Sequence, residues 1–222
     1  MTTRVLNSGR RGPAAGEGTS LVVLVHGYGA DGGDLLGLAD PLMPHMPGTV
    51  FLAPDAPESC IANPAGYQWF PIPWLDGSDP EAAETGMAAA AADLNAFLDA
   101  AMTAEGVTPD RVILLGFSQG TMMSLQIAPR RAQALAGVVG FSGRLLMPEA
   151  LEDEVISCPP VLLIHGDRDE VVPPESLPEA AQALQAAGFN VYAHVSKDMA
   201  HGIAPDGLNL AAAFMRERLG LG

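Results

Sequence analysis

One serine of this sequence lies between two glycines, directly after an apolar run. Ser118 belongs to the stretch GFSQG, Gly116–Gly120, and the apolar residues RVILL precede it. Between a strand and a helix, G-x-S-x-G forms a tight turn that raises the serine hydroxyl above the end of a sheet, and its glycines avoid clashes with neighbouring elements. The alternative is a glycine-flanked serine that only caps a helix. The motif therefore predicts a nucleophile only if catalytic partners exist elsewhere.

A serine nucleophile needs a base that removes its proton, and three histidines follow Ser118 in the chain. His201 lies in the stretch DMAHGI, between the last predicted strand and the last predicted helix. This is the carboxyl end of a strand, where open α/β sheets form their sites. His165 ends one predicted strand and His194 lies inside another, so structural roles are the default for both. We predict that His201 is the base.

The carboxylate that orients such a histidine should lie between the serine and the histidine in the chain. The stretch VLLIHGDRDEVVPPE, Val161–Glu175, provides Asp167 and Asp169 in the loop after a predicted strand. Asp167 follows a glycine and is typical of a turn, and spacing gives only a mild preference for Asp169. Asp198 is a third candidate, better explained as a solvated loop residue. The residues alone leave the choice between the first two open.

Acyl transfer also needs backbone donors for the developing oxyanion, and loss of one donor typically costs about 10²–10³ in rate. Gln119, directly after the serine, should supply one N–H group through its backbone and not through its side chain. The loop HGYG after an early strand should supply the other, and Tyr28 N–H is the candidate. A phosphate-binding loop is the alternative, but the Walker lysine and the G-x-G-x-x-G spacing are missing. We predict a structural role for His26.

Six short apolar runs and the segments between them must position these residues. Near-continuous hydrophobicity is typical of strands that are buried on both faces. The predicted strands cover 21–25, 49–53, 111–115, 135–141, 160–164 and 189–195. The predicted helices cover 81–105, 118–128, 178–187 and 206–219. This alternation indicates one α/β domain over residues 1–222, with a mostly parallel central sheet and helices on both of its faces.

The longest predicted helix has distinct start and stop signals. Asp79 is suited to the N-cap, Pro80 to the first helical position and Gly106 to the C-terminal end. Residues 9–20, rich in glycine, arginine, alanine and proline, are predicted as a loop or a loosely held hairpin instead.

Residues 54–79, which we name the excursion, interrupt the alternation of strands and helices. The segment is dense in proline, glycine and aromatic residues and has no periodic pattern. Such long segments in a compact domain are usually functional or disordered, and two tryptophans argue for order. We predict an ordered excursion over the active site. Its aromatic residues are expected either to extend the core or to line an acyl pocket, with Trp69, Phe70 and Trp74 as pocket candidates.

The charge balance excludes several classes of partner. The chain has 11 Lys and Arg against 26 Asp and Glu, a net charge of −15. Nucleic acids and anionic membranes both require cationic side chains, so we expect no nucleic-acid partner and no stable membrane anchor. The N-terminal residues lack an apolar signal segment, and the longest apolar run, 21–25, is too short to span a bilayer. We expect a cytoplasmic protein.

The two cysteines give no indication of a metal or redox site. Cys60 and Cys158 are far apart and form no CxxC pair, so we expect two reduced thiols. We expect no cofactor and no metal, because serine-based acyl transfer requires neither. A homodimer with a contact through the excursion is a further expectation.

Four stretches that contain the candidate residues follow one another along the chain in this order: LVHGYGADGGD, GFSQG, HGDRDEVVP and AHGI. Together they resemble the carboxylesterase and acyl-protein thioesterase branch of the α/β-hydrolases, and the resemblance runs from about Ser20 to Leu219. It implies an α/β-hydrolase fold with a minimal lid. It also implies a serine hydrolase for carboxylic esters, and for thioesters, of small or medium acyl chains. Acyl-protein thioesterase or lysophospholipase specificity is the alternative, and a non-catalytic binding protein of the same fold is disfavoured by the complete residue set.

The same resemblance implies roles for individual residues. It assigns Ser118 as nucleophile, His201 as base and Asp169 as acid, in preference to Asp167. It also implies that the Tyr28 and Gln119 amides bind the oxyanion.

The sequence departs from the family pattern at two positions. Tyr28 stands where the family commonly has leucine, a change that a backbone donor tolerates but that is expected to alter the acyl pocket. Pro71 stands where the family usually has a small or acidic polar residue, and proline cannot donate a backbone hydrogen bond. The resemblance therefore leaves the chain-length preference open.

Overall fold

A seven-stranded sheet forms the centre of the computed structural model, which describes residues 3–222. Its strand order is β1-β3-β2-β6-β7-β8-β9, and only β1 is antiparallel to its neighbour. A separate two-stranded hairpin, β4-β5, lies in the excursion. The strands are β1 (Ser8–Arg11), β2 (Ser20–Val25), β3 (Thr49–Pro54), β4 (Glu58–Ser59), β5 (Tyr67–Gln68), β6 (Val112–Phe117), β7 (Gly137–Phe141), β8 (Val161–Gly166) and β9 (Val191–Ser196).

Within residues 3–222, eight α-helices connect these strands and cover the sheet. They are α1 (Gly32–Leu36), α2 (Ala39–Leu42), α3 (Pro73–Asp76), α4 (Pro80–Glu105), α5 (Gln119–Ile127), α6 (Pro148–Glu154), α7 (Ser176–Ala186) and α8 (Pro205–Arg218). The predicted signals bound α4: Asp79 accepts a hydrogen bond from Glu81 N–H, Pro80 is the first residue, and Gly106 ends the helix at a φ of 68°. Across residues 3–222, no helix is both long and apolar enough to cross a membrane.

The core lies on both faces of the sheet, as the sequence predicts. Successive side chains of a strand point to opposite faces. Along β2, Leu21, Val23 and Val25 pack in one cluster with α4, α5 and α7, while Val22 and Leu24 pack in the other with α1, α2 and α8. Burial on both faces explains why the central strands have near-continuous apolar sequences. The predicted mostly parallel sheet with helices on both faces is confirmed.

The six predicted strands and four predicted helices all exist, with ends that differ by a few residues. The prediction for residues 9–20 was partly wrong, because Ser8–Arg11 forms the edge strand β1. Its residues are polar since an edge strand is only half covered, and Arg10 pairs with the buried carboxylate of Glu105 at 2.8 Å. The short helices α1, α2, α3 and α6 were not predicted. Four to seven residues are too few to show helical periodicity.

Candidate active site

Ser118 occupies a strained turn between β6 and α5. Its φ is 53°, in a region that a serine adopts only where the surrounding structure imposes it. Its N–H group donates to Phe141 O at 2.9 Å, which ties the turn to the end of β7. A Cβ on Gly116 would lie 2.4 Å from Gly120 O, and a Cβ on Gly120 would lie 1.8 Å from Val25 O. The two glycines are therefore sterically required, as the motif predicts.

The structure brings His201 and Asp169 together. His201 Nδ1 donates to Asp169 Oδ2 at 2.7 Å, which leaves Nε2 as the unprotonated nitrogen of a neutral ring. The other carboxylate oxygen, Oδ1, accepts the N–H groups of Val171 and Val172, both at 2.9 Å. Burial alone would raise the pKa of Asp169, but the hydrogen bonds from His201, Val172 and Val171 outweigh it and hold the pKa below its usual value. Asp169 is thus a fixed anion behind the histidine.

The other carboxylate candidates lie apart from His201. Asp167 is exposed in the same loop as Asp169. Asp198 is 74% exposed and forms an ion pair with Arg168. Neither is hydrogen-bonded to the histidine within residues 3–222.

The His201 ring lies beside the serine turn. Its centroid is 4.9 Å from that of Phe117, the residue directly before Ser118. The histidine side chain is 18% exposed, and no residue in 3–222 hydrogen-bonds its Nε2. Serine and imidazole therefore share one corner of the molecule, at the carboxyl ends of β6 and β9.

The loop after β2 packs against Ser118. A Cβ on Gly27 would lie 3.2 Å from Ser118 Cβ, so only a glycine fits this approach without displacing neighbours. Tyr28 N–H has no acceptor among the described residues. Gln119 is the first residue of α5, where an N–H group has no intrahelical acceptor. Within residues 3–222, these two N–H groups thus have no acceptor, one next to Ser118 in the chain and the other next to Gly27.

His26 has the structural role that the sequence predicts. It is fully buried, and its Nε2 accepts the Ala56 N–H group at 2.9 Å. Nδ1 therefore carries the proton and donates to Gly27 O at 2.7 Å. Burial lowers the pKa of His26, which keeps the ring neutral. Since carbonyl and N–H of a trans peptide point in opposite directions, this bond turns the Tyr28 N–H away from His26.

The sequence assigned Gln119 a role through its backbone N–H and not through its side chain. In the structure, the side chain has a role as well. Its Oε1 accepts Trp69 N–H at 2.9 Å and its Nε2 donates to Phe70 O at 2.7 Å. These buried bonds join the serine turn to the excursion. The sequence signal was indirect: a buried segment without regular structure must find side-chain partners for its backbone.

Replacing Gln119 with alanine is expected to lower the free energy of unfolding by about 2–6 kcal/mol. The change leaves two buried backbone groups unsatisfied, at roughly 1–3 kcal/mol each. Urea unfolding measures the effect. Gln126→Ala, in the same helix, is the matched control, because its Oε1 has no partner in residues 3–222. Equal losses in both variants would contradict the assigned role.

The predicted pocket aromatics are distributed between the core and the surface. Trp69 is fully buried and its Nε1 donates to His26 O at 3.0 Å, and Phe70 is buried beside it. The burial of both residues fits the alternative prediction, in which the aromatic residues extend the core and do not line an acyl pocket. Trp74 is 65% exposed on α3, where Arg144 lies 5.9 Å from its ring centroid. The homodimer contact through the excursion stays a prediction, and the large exposed apolar residues of that segment are Ile61, Trp74 and Leu75.

A cavity of about 320 Å³ opens beside the serine turn. Apolar side chains dominate its lining, with one carboxylate, Asp34. The residues that line it are His26, Gly27, Ala30, Asp34, Leu35, Leu38, Phe117 and Ile203. This cavity could not be predicted from the sequence, because its walls come from α1 and from loops distant in the chain. A larger cleft of about 780 Å³ along α4 contains none of the predicted catalytic residues. Residues 3–222 contain no metal-binding cluster of three or more His, Cys, Asp or Glu.

Comparison with known proteins adds independent evidence. A family model described as phospholipase/carboxylesterase matches residues 13–219. The chain is 29% identical to acyl-protein thioesterase 1 of Gibberella zeae, over 93% of this chain and 94% of that protein. It is 28% identical to acyl-protein thioesterase 1 of Saccharomyces cerevisiae, over 89% and 92%.

Solved structures show the same likeness. The crystal structure of esterase PE8 has a TM-score of 0.91 and 42% identity, and the match covers 97% of this chain and all 100% of that one. Acyl-protein thioesterase 2 of Zea mays has a TM-score of 0.76 at 24% identity, over 96% and 99% of the two chains, a likeness of fold alone. The predicted α/β-hydrolase fold is confirmed.

Proposed function

The chain belongs to the phospholipase/carboxylesterase family of α/β-hydrolases and is an esterase-type enzyme, and we propose that Ser118, His201 and Asp169 perform its chemistry. The observation that carries this proposal is the 2.7 Å hydrogen bond between His201 Nδ1 and the buried Asp169 carboxylate. It fixes the tautomer in which Nε2 can accept a proton. A serine at a strained, glycine-enclosed turn lies in the same corner of the molecule.

The first half of the proposed reaction acylates the serine. Ser118 Oγ attacks the ester carbonyl carbon while His201 Nε2 accepts the hydroxyl proton, and Asp169 stabilises the imidazolium that forms. The carbonyl oxygen becomes an oxyanion and accepts hydrogen bonds from the Tyr28 and Gln119 amides. When the tetrahedral intermediate collapses, His201 returns the proton to the leaving alkoxide or thiolate. An alcohol or thiol departs and an acyl-Ser118 ester remains.

The second half of the proposed reaction restores the enzyme. A water molecule attacks the acyl carbonyl, and His201 Nε2 accepts its proton. The same two amides bind the second oxyanion. Collapse breaks the bond to Ser118 Oγ, which takes the proton back from His201, and a carboxylic acid is released.

We propose that the substrates are esters of small or medium acyl chains. The cavity of about 320 Å³ beside Gly27 and Phe117 supports this, because it is apolar and limited in size. Asp34 at its wall disfavours anionic groups. The likeness to esterase PE8 at 42% identity favours oxygen esters. Thioesters are the second candidate, favoured by the acyl-protein thioesterase relatives.

A chain-length series tests the substrate proposal. We expect kcat/KM for p-nitrophenyl esters to be highest between butyryl and octanoyl and to fall about 10-fold or more for palmitoyl, because the cavity cannot enclose a long chain. Leu38→Trp should fill the cavity and lower activity on octanoyl esters more than on acetyl esters. Leu210→Trp on the exposed face of α8 is the control. A palmitoyl optimum, or the same profile in all three proteins, would contradict the assignment. Matched thioesters in the same assay decide between the two substrate classes.

A further inference from the structure

We propose that the Tyr28 side chain is a positioning residue for the oxyanion hole, because its hydroxyl fastens the loop after β2 to the excursion. The inference rests on the proposed function, in which Tyr28 N–H binds the oxyanion. It goes further in giving the side chain a role that the backbone donor alone does not require.

The Tyr28 hydroxyl has a well-fixed acceptor. It donates to Asp76 Oδ2 at 2.9 Å, at the end of α3. The same oxygen accepts Ile72 N–H at 2.8 Å, and Oδ1 accepts Ser78 N–H at 2.9 Å. Asp76 therefore cannot follow a moving tyrosine, because two backbone donors, Ile72 N–H and Ser78 N–H, each hold one of its oxygens.

Both groups keep the protonation states that this bond needs. Burial alone would raise the pKa of Asp76, but hydrogen bonds from Ser78, Ile72 and Tyr28 outweigh it and lower the pKa below its usual value. Burial, with hydrogen bonds to Cys60 and Asp76, raises the pKa of Tyr28. The phenol thus stays a donor and the carboxylate stays an anion at neutral pH. Hydrogen bonds to charged acceptors are shorter and stronger than neutral ones.

The backbone on either side of Tyr28 is already held by other contacts. Gly29 N–H donates to Tyr67 O at 2.8 Å, and Asn63 Nδ2 donates to Gly29 O at 2.8 Å. On the other side, His26 Nδ1 holds Gly27 O. Between these fixed ends, the backbone of Tyr28 can still rotate, and such a rotation changes the direction of its N–H group.

The side chain removes that remaining freedom. The N–H group and the Cβ atom are both linked to the Tyr28 Cα, and the rigid ring has only two rotatable bonds between that Cα and the hydroxyl. Fixing the far end of the ring on Asp76 therefore fixes the direction in which the N–H points. Catalytic groups must be placed closely, because a displacement of about 1 Å can cost roughly 10²-fold in rate.

The test compares Tyr28→Phe, Asp76→Ala and the double variant with the wild type. Tyr28→Phe keeps the backbone donor and the ring and removes only the hydroxyl. We expect kcat on butyryl esters to fall about 10-fold with KM within about twofold, because the loss falls on the transition state. The affinity for a trifluoromethyl ketone, which adds to the serine as a tetrahedral adduct, should fall by a similar factor. Tyr67→Phe, whose hydroxyl has no partner in residues 3–222, should match the wild type.

The double variant separates positioning from general stability. If the hydroxyl acts through Asp76, Tyr28→Phe should lower kcat no further in the Asp76→Ala background. A kcat for Tyr28→Phe within twofold of wild type, or an unchanged ketone affinity, would overturn the inference whether or not Asp76→Ala folds. Stoichiometric fluorophosphonate labelling of the same preparations keeps the two proposals apart. Absence of labelling in the wild type refutes the proposed function, whereas full labelling with unchanged Tyr28→Phe kinetics refutes only the positioning role.

Discussion

Alanine in place of Ser118 is expected to lower kcat on short-chain esters by about 10⁵-fold and to abolish labelling by a fluorophosphonate probe. The remaining groups would still bind the ester and its oxyanion, but no oxygen could form the acyl intermediate. Ser118 Oγ makes no hydrogen bond within residues 3–222, and alanine keeps the strained backbone of the turn unchanged. The variant should therefore unfold at the same urea concentration as the wild type.

Ser142→Ala provides a closely matched control for this result. Ser142 is also a buried serine at a positive φ, 47°, and it follows β7 as Ser118 follows β6. The ends of these two strands are paired, Phe117 with Phe141. Labelling should persist in Ser142→Ala and disappear in Ser118→Ala. The nucleophile assignment fails if Ser118→Ala is labelled as fast as the wild type.

The parts of the site that the sequence predicted are those that depend on local chemistry. A strand buried on both faces needs an apolar run, and RVILL before Ser118 is such a run. The serine turn needs Gly116 and Gly120, since any Cβ there would collide with backbone. The proposed base, His201, lies in a loop after a strand end, where the sequence places it.

The parts that could not be predicted depend on contacts between distant residues. Gln119 meets Trp69 and Phe70 from 50 and 49 positions away in the chain, and nothing near Gln119 in the sequence indicates those partners. Arg10 and Glu105 are 95 positions apart in the chain, so the strand β1 resembled a loop. The sequence could not decide whether Trp69, Phe70 and Trp74 are buried, for the same reason. Their burial depends on which distant residues pack against the excursion.

The acid of the proposed triad was only partly predictable from the sequence. Spacing barely separates Asp167 from Asp169, as both lie in the loop after β8. The structure distinguishes them by backbone geometry, since the N–H groups of Val171 and Val172 converge on Asp169 Oδ1. This detail also determines what a substitution at that position should do.

Asparagine in place of Asp169 is expected to lower kcat by about 10⁴-fold with little change in fold. Because two backbone N–H groups point at the Oδ1 position, the asparagine oxygen must occupy it. The amide nitrogen then takes the Oδ2 position and directs its N–H toward His201 Nδ1. Nδ1 becomes an acceptor, so the ring proton moves to Nε2. In that tautomer the ring has no lone pair at Nε2 with which to take the proton of Ser118.

His165 adds a further cost to this substitution. Its Nε2 lies 2.9 Å from Val172 O and 3.2 Å from Asp169 Oδ2, so it carries a proton directed toward these two acceptors. In Asp169→Asn that N–H would face another N–H group, which adds a repulsion to the loss of the carboxylate charge. Asp167→Asn, exposed in the same loop, should keep nearly full activity. Initial rates on a butyryl ester and the rate of fluorophosphonate labelling test both variants, and a large loss in Asp167→Asn with full activity in Asp169→Asn would reverse the assignment. Asp167→Asn and Asp169→Asn each remove one negative charge from the same loop. The expected difference in activity between them therefore comes only from the position of each side chain relative to His201.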